Sequence, residues 1–130
     1  MPGSTTLISY AAIVGGSLPR ERYPAAALSG VLTYIGWARR AIVGGDMPAA
    51  HDALLAAQQI LALLRGSLES KADAELVARL DGLYAYVQDQ LVRANLEKSD
   101  TLLTALGPIV MTLRDAWEEA AQLALAAPVA

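Results

Sequence analysis

The chain has 130 residues, enough for one domain whose core needs no covalent or metal staple. With no Cys, one His and a formal charge of −3, it excludes disulfide frameworks, thiolate or His-cluster metal sites and the basic footprint that nucleic acid requires. Phe is absent, yet 55% of residues are hydrophobic, above the level of an ordinary soluble domain, so apolar surface beyond one core is expected.

Met1 to Pro19 carries no charged side chain and is broken by Pro2, Gly3, Gly15, Gly16 and Pro19. Without a basic start or a compact apolar run it makes a poor secretory signal. The breakers predict a mobile arm over 1–19, with room for one short extra helix. Leu7, Ile8, Tyr10, Ile13 and Val14 make the arm too apolar for a purely solvated tail. Either it folds back over the rest of the chain or it carries a docking motif.

The spacing predicts a helical bundle over 20–126 and a frayed tail over 127–130. Its first long helix spans Tyr23 to Val43, with Leu28, Val31, Leu32, Ile35, Ala38 and Ile42 on one face and Gly44–Gly45 as the stop. The uncharged part, Tyr23–Ala38, is shorter than the ~20 residues a bilayer needs and holds Pro24, Gly30 and Gly36, so no membrane span is expected. Trp37 stands about 200° around from Ile35, and Tyr34 about 100° to one side. An outward Trp is either covered by the arm or reserved for a partner.

A second helix opens at Asp46 as N-cap, with Pro48 in its first turn, and ends at Gly66. Its stripe is Met47, Ala50, Leu54, Ala57, Leu61, Leu64 and Leu68, and Leu55 and Leu63 lie off it. The third runs from Asp73 to Lys98 with Leu76, Leu80, Leu83, Tyr84, Val87, Leu91 and Ala94 on one face. The fourth, from Asp100 to Ala126, follows a capping Ser99 or Asp100 and aligns Leu102, Leu106, Ile109, Val110, Leu113 and Trp117. Pro108 inside it predicts a kink, or an entry coil before a shorter helix. The expected fold is an all-α antiparallel four-helix bundle whose core includes Leu54, Leu61, Leu80, Leu83, Tyr84, Leu91, Leu113 and Trp117.

Particular letters add to the periodicity. The run LxxLYxYxxxxLxxANL, formed by Leu80, Leu83, Tyr84, Tyr86, Leu91, Ala94, Asn95 and Leu96, is followed by LRDAWE over Leu113–Glu118. Upstream stands GDMPAAHDALLAAQQILALLRGSL, Gly45 to Leu68. Together these resemble the flagellar secretion chaperone family, FliS, densely over Gly45–Glu119 and more thinly before it. The chain departs from the family's Leu-Tyr-Glu-Gly run at Ala27, Leu28, Ser29 and Gly30, and it lacks paired glycines in the linker after the second helix.

The resemblance implies a cytoplasmic export chaperone that does no chemistry and takes no cofactor. Such a protein binds the C-terminal region of flagellin, keeps it from polymerising early and delivers it to the cytoplasmic domain of the flagellar type III export gate. It further implies that an aromatic residue in the arm meets that gate, for which Leu7 and Tyr10 are the match. Off-stripe apolar residues should line grooves for amphipathic guest helices. Leu55, Leu63, Val92, Leu96 and Met111, with Tyr86, Asn95 and Arg114 from the matching runs, are the expected flagellin contacts. Asn95, at the edge of its stripe, is expected to bond backbone near a helix end or on the guest.

No catalytic constellation exists: there is no GxSxG, P-loop or dinucleotide fingerprint. Two rivals remain. One is a histidine phosphotransfer domain through His51, although Asp52 beside it repels a phosphoryl group where such sites carry Lys and Gly. The other is a structural bundle that self-associates through its apolar surplus, and the free protein itself could be a homodimer.

Overall fold

The computed structural model describes residues 18–68 and 73–126, so residues 1–17 of the expected arm, with Leu7 and Tyr10, and the expected tail lie outside the described residues. A 3-10 turn at Arg20–Arg22 leads into α1, Tyr23–Val43. Pro24 falls in its first turn, where a backbone N–H has no intrahelical partner to lose. At the far end Gly44 N–H donates to Arg40 O at 2.9 Å, and Gly45 adopts φ 78°. That left-handed conformation turns the chain into Asp46, whose Oδ1 accepts from Ala49 N–H at 3.2 Å and caps α2, Met47–Gly66.

α3, Ala74–Glu97, is capped by Asp73, whose Oδ1 accepts from Glu75 N–H at 2.9 Å. It closes on Lys98 at φ 48°, a left-handed residue with a side chain. Ser99 then supplies the cap of α4, Asp100–Ala126: its Oγ accepts from Leu102 N–H at 3.1 Å. Asp100, the alternative cap, instead receives Arg39 Nε at 2.8 Å and ties α4 to α1. No strand occurs among the described residues.

The short connections make consecutive helices antiparallel, and α1 lies between α2 and α4. α2 also packs on α3, whereas α3 and α4 share the thinnest of these seams. This arrangement corrects the sequence reading of α1. Covered on two sides, α1 buries a broad face that takes in Ala25, Gly30 and Tyr34 besides Leu28, Val31, Ile35 and Ala38. Trp37 is half-buried against the core and meets Tyr34 edge-on, with ring centroids 5.2 Å apart at 89°. Neither covering by the arm nor a waiting partner is needed to account for it.

The other corrections lie at the thin seam and at helix ends. Leu83, expected in the core, is 47% exposed, and Leu76, Ile109 and Met47 are exposed as well. Leu83 and Ile109 sit on the flanks by which α3 and α4 would meet, and those flanks are incompletely covered. Leu76 and Met47 lie in first turns, where neighbouring helices cover them incompletely. Leu103, off the expected stripe of α4, is buried with Leu106 and Val110. Leu54, Leu61, Tyr84 and Leu91 are buried, and Leu80, Leu113 and Trp117 pack half-buried against them.

Pro108 does not break α4, so the expected entry coil is absent and the helix is continuous from Asp100 to Ala126. Pro108 and Thr104, whose carbonyl loses its usual donor, are both exposed, so water can replace the missing bond.

Two glycines test these backbone assignments. Gly45→Ala forces a side chain into the left-handed turn and is expected to cost about 1 kcal/mol. Gly82 lies in the interior of α3, where an added methyl group would meet open space, so Gly82→Ala is expected to stabilise by about 0.5–1 kcal/mol. Urea unfolding of the two variants reads opposite signs, and equal signs would contradict the turn or the helix.

Candidate partner-binding surface

Along the α2–α3 seam the polar contacts recur every seven residues, close to two helical turns, so they occupy one edge. His51 meets Asn95, Gln58 O accepts from Gln88 Nε2 at 3.4 Å, and Arg65 clasps Asp81. Arg65 is bidentate, with Nε to Oδ1 at 2.8 Å and Nη2 to Oδ2 at 3.1 Å, and its Nη1 reaches Gln88 Oε1 at 3.1 Å. Hydrogen bonding and charge from Arg65 hold the Asp81 carboxyl below its ordinary range, against the opposing effect of desolvation. The ladder fixes the register of the two helices and closes this seam with polar groups.

The α3–α4 seam is different. Helical phase puts Leu83 and Tyr86 of α3, and Ile109 of α4, on the facing flanks, and all three are exposed. Near the C-terminal end of α2 and the first turns of α3, Pro24, Leu64, Leu68, Leu76, Leu80 and Trp117 line an apolar cleft of about 310 Å³. Its inner wall is pinned by Trp117, whose Nε1–H donates to Tyr84 Oη at 2.7 Å. Burial pushes the Tyr84 hydroxyl up from its ordinary pKa, more than the Trp117 bond lowers it, so it stays a neutral phenol. Sequence reasoning placed both residues in the core but had no signal for their bond.

The residues nominated for a guest do not share one face. Leu55 and Val92 flank the polar ladder, Leu96 points outward from α3 at 82% exposure, and Leu63 lies on the far side of α2. Tyr86 alone of the set stands at the α3–α4 seam. Met111 and Arg114 are on the side of α4 that turns toward α1, and Arg114 pairs with its neighbour Asp115 at 3.0 Å. The Asn95 side chain does not bond backbone near a helix end, which was one of the two partners expected for it. It bonds other side chains, with Nδ2 3.0 Å from His51 Nδ1 and Oδ1 accepting from Lys98 Nζ at 2.8 Å. Glu118 receives Arg22 Nη1 at 2.6 Å and ties the 3-10 turn to α4.

The described residues hold no cluster of acidic, His or Cys side chains able to bind a metal ion. Among them, no helix is long and apolar enough to cross a membrane. What remains is an apolar, thinly packed seam suited to a partner's helix.

A family model described as "Flagellar protein FliS" matches residues 19–124. The chain is similar to the flagellar secretion chaperone FliS of Bacillus subtilis, 33% identical over 94 residues that cover 72% of this chain and 69% of that protein. It is also similar to the flagellar secretion chaperone FliSB of Pseudomonas aeruginosa, 29% identical over 91 residues, or 70% of this chain and 72% of that one.

Proposed function

The chain belongs to the flagellar protein FliS family, and on that premise we propose that it is a cytoplasmic export chaperone for flagellin. It binds the C-terminal segment of flagellin as amphipathic helix, masks the surface by which that segment polymerises, and presents the cargo to the export gate. The observation that carries this reading is the α3–α4 seam. A closed four-helix bundle would bury Leu83 and Ile109, whereas here both are exposed, and Leu80 and Tyr84 of α3 with Trp117 of α4 line the apolar cleft. An amphipathic helix laid along that seam completes the bundle's missing side, a helix-in-groove mode. No step requires a reactive group.

Delivery is assigned to Leu7 and Tyr10 in the arm, outside the described residues, and cargo binding to the bundle. Isothermal titration and light scattering with a synthetic flagellin C-terminal segment test the reading. A stoichiometric one-to-one complex is expected, with the free protein's own mass measured alongside. Absence of any complex would overturn it and favour a self-associating structural bundle. A titration of the complex with the gate's cytoplasmic domain tests Tyr10→Ala, which is expected to lose gate affinity while keeping its cargo.

A further inference from the structure

His51 stood out in the sequence as the chain's one imidazole, and its position in the polar ladder gives it a defined state. Lys98, held in the left-handed conformation that ends α3, folds its ammonium back onto the helix end. There Nζ donates to the backbone oxygen of Asn95 at 2.6 Å and to its Oδ1 at 2.8 Å. An ammonium can only donate, so the amide is fixed with its oxygen toward Lys98. The remaining end of the amide, Nδ2, lies 3.0 Å from His51 Nδ1, whereas the occupied Oδ1 is farther, at 3.3 Å. Nδ2 carries only protons to give, so Nδ1 must accept and carries none. In the neutral ring the proton is then on Nε2.

We infer that His51 is a partner contact: the Lys98–Asn95–His51 relay holds its Nε2–H as a fixed, outward donor for an unpaired backbone carbonyl of the bound segment. His51 is exposed. Leu55, one turn on along α2, and Val92, one turn before Asn95 on α3, are exposed apolar neighbours that flank it on the ladder's outer side. A directional donor set between two apolar side chains suits the end of an amphipathic helix. The last carbonyls there lack intrahelical donors while the apolar face still seeks cover. Asn95 and Lys98 are positioning residues in this scheme and do not touch the partner. The inference rests on the flagellin reading above and names a second strip, across α3 from the α3–α4 seam, over which a segment wrapping the bundle would pass.

Two measurements test it. In the free protein, long-range proton–nitrogen correlation NMR is expected to report the Nε2–H form of His51. Lys98→Met, which releases the amide, is expected to mix the two tautomers. A predominantly Nδ1–H ring in the unsubstituted protein would overturn the proposal. Titration with the synthetic flagellin C-terminal segment is then compared between the unsubstituted protein and His51→Ala, with thermal unfolding confirming that the variant is folded. Loss of one directional hydrogen bond is expected to weaken binding about three- to tenfold, with partial recovery in His51→Gln. Unchanged affinity in a folded His51→Ala overturns the role of His51 and leaves the flagellin reading intact. Failure of the unsubstituted protein to bind the segment overturns both.

Discussion

Trp117→Ala is expected to destabilise the protein by about 3 kcal/mol, toward the lower end of the ~3–5 kcal/mol typical of a buried Trp or Phe. The indole covers the core beside Leu80 and Leu113 and ties α4 to α3 through the bond to Tyr84 Oη. Its loss removes both that packing and the donor to a buried hydroxyl. The cost falls short of the maximum because Trp117 is half-buried and lines the open cleft, so water can enter the space it leaves. Tyr84→Phe separates the contributions: it keeps the ring and leaves the indole N–H without its acceptor, for about 1 kcal/mol. A double-mutant cycle by chemical denaturation is expected to show coupling between the two sites. Strict additivity would mean that the 2.7 Å bond contributes nothing.

Tyr86→Asp is expected to weaken binding of the flagellin C-terminal segment at least tenfold while changing stability by less than about 1 kcal/mol. The side chain is 48% exposed in the free protein, so a carboxylate there keeps its water. A docked helix would strip that water from it with no cation supplied in return. Tyrosine is also among the residues whose truncation most often dominates an interface. Leu96→Asp changes a still more exposed position, but on the outward side of α3, and is expected to have the smaller effect. Titration calorimetry on the two variants ranks the surfaces. A larger loss from Leu96→Asp would move the principal docking site away from the α3–α4 seam.

Helix boundaries were legible in the sequence because local chemistry sets them. Asp46, Asp73 and Ser99 cap three helices, and Gly45 takes the left-handed turn that its lack of a side chain allows. Burial was less legible. Periodicity gives the direction of a face but not its width, and width depends on how many neighbours a helix acquires. Trp37 was read as outward, and Tyr34 as lying to one side, because a narrow buried face was assumed for α1, which packs on two neighbours. Leu83 and Ile109 failed in the opposite sense, since the spacing that marks a core residue also marks one awaiting a partner. The candidate surface was therefore legible as a surplus of apolar residues and illegible as a place. Polar ties were beyond reach altogether: Arg65–Asp81, Arg22–Glu118 and His51–Asn95 join positions whose proximity only the packing creates.

The unequal seams also divide the molecule in time. α1 and α2 contribute seven and eight buried residues, α3 only four, and none of those lies between Ala74 and Arg79. Exposing the start of α3 to solvent therefore sacrifices little apolar burial, whereas releasing α1 dismantles two interfaces at once. In native-state hydrogen exchange, the amides of the first turns of α3 are expected to exchange through a low-energy local opening. Those from Leu28 to Ala38 are expected to wait for global unfolding. A chaperone built this way keeps one rigid half as a template and one half that can breathe, and the cleft is walled by both.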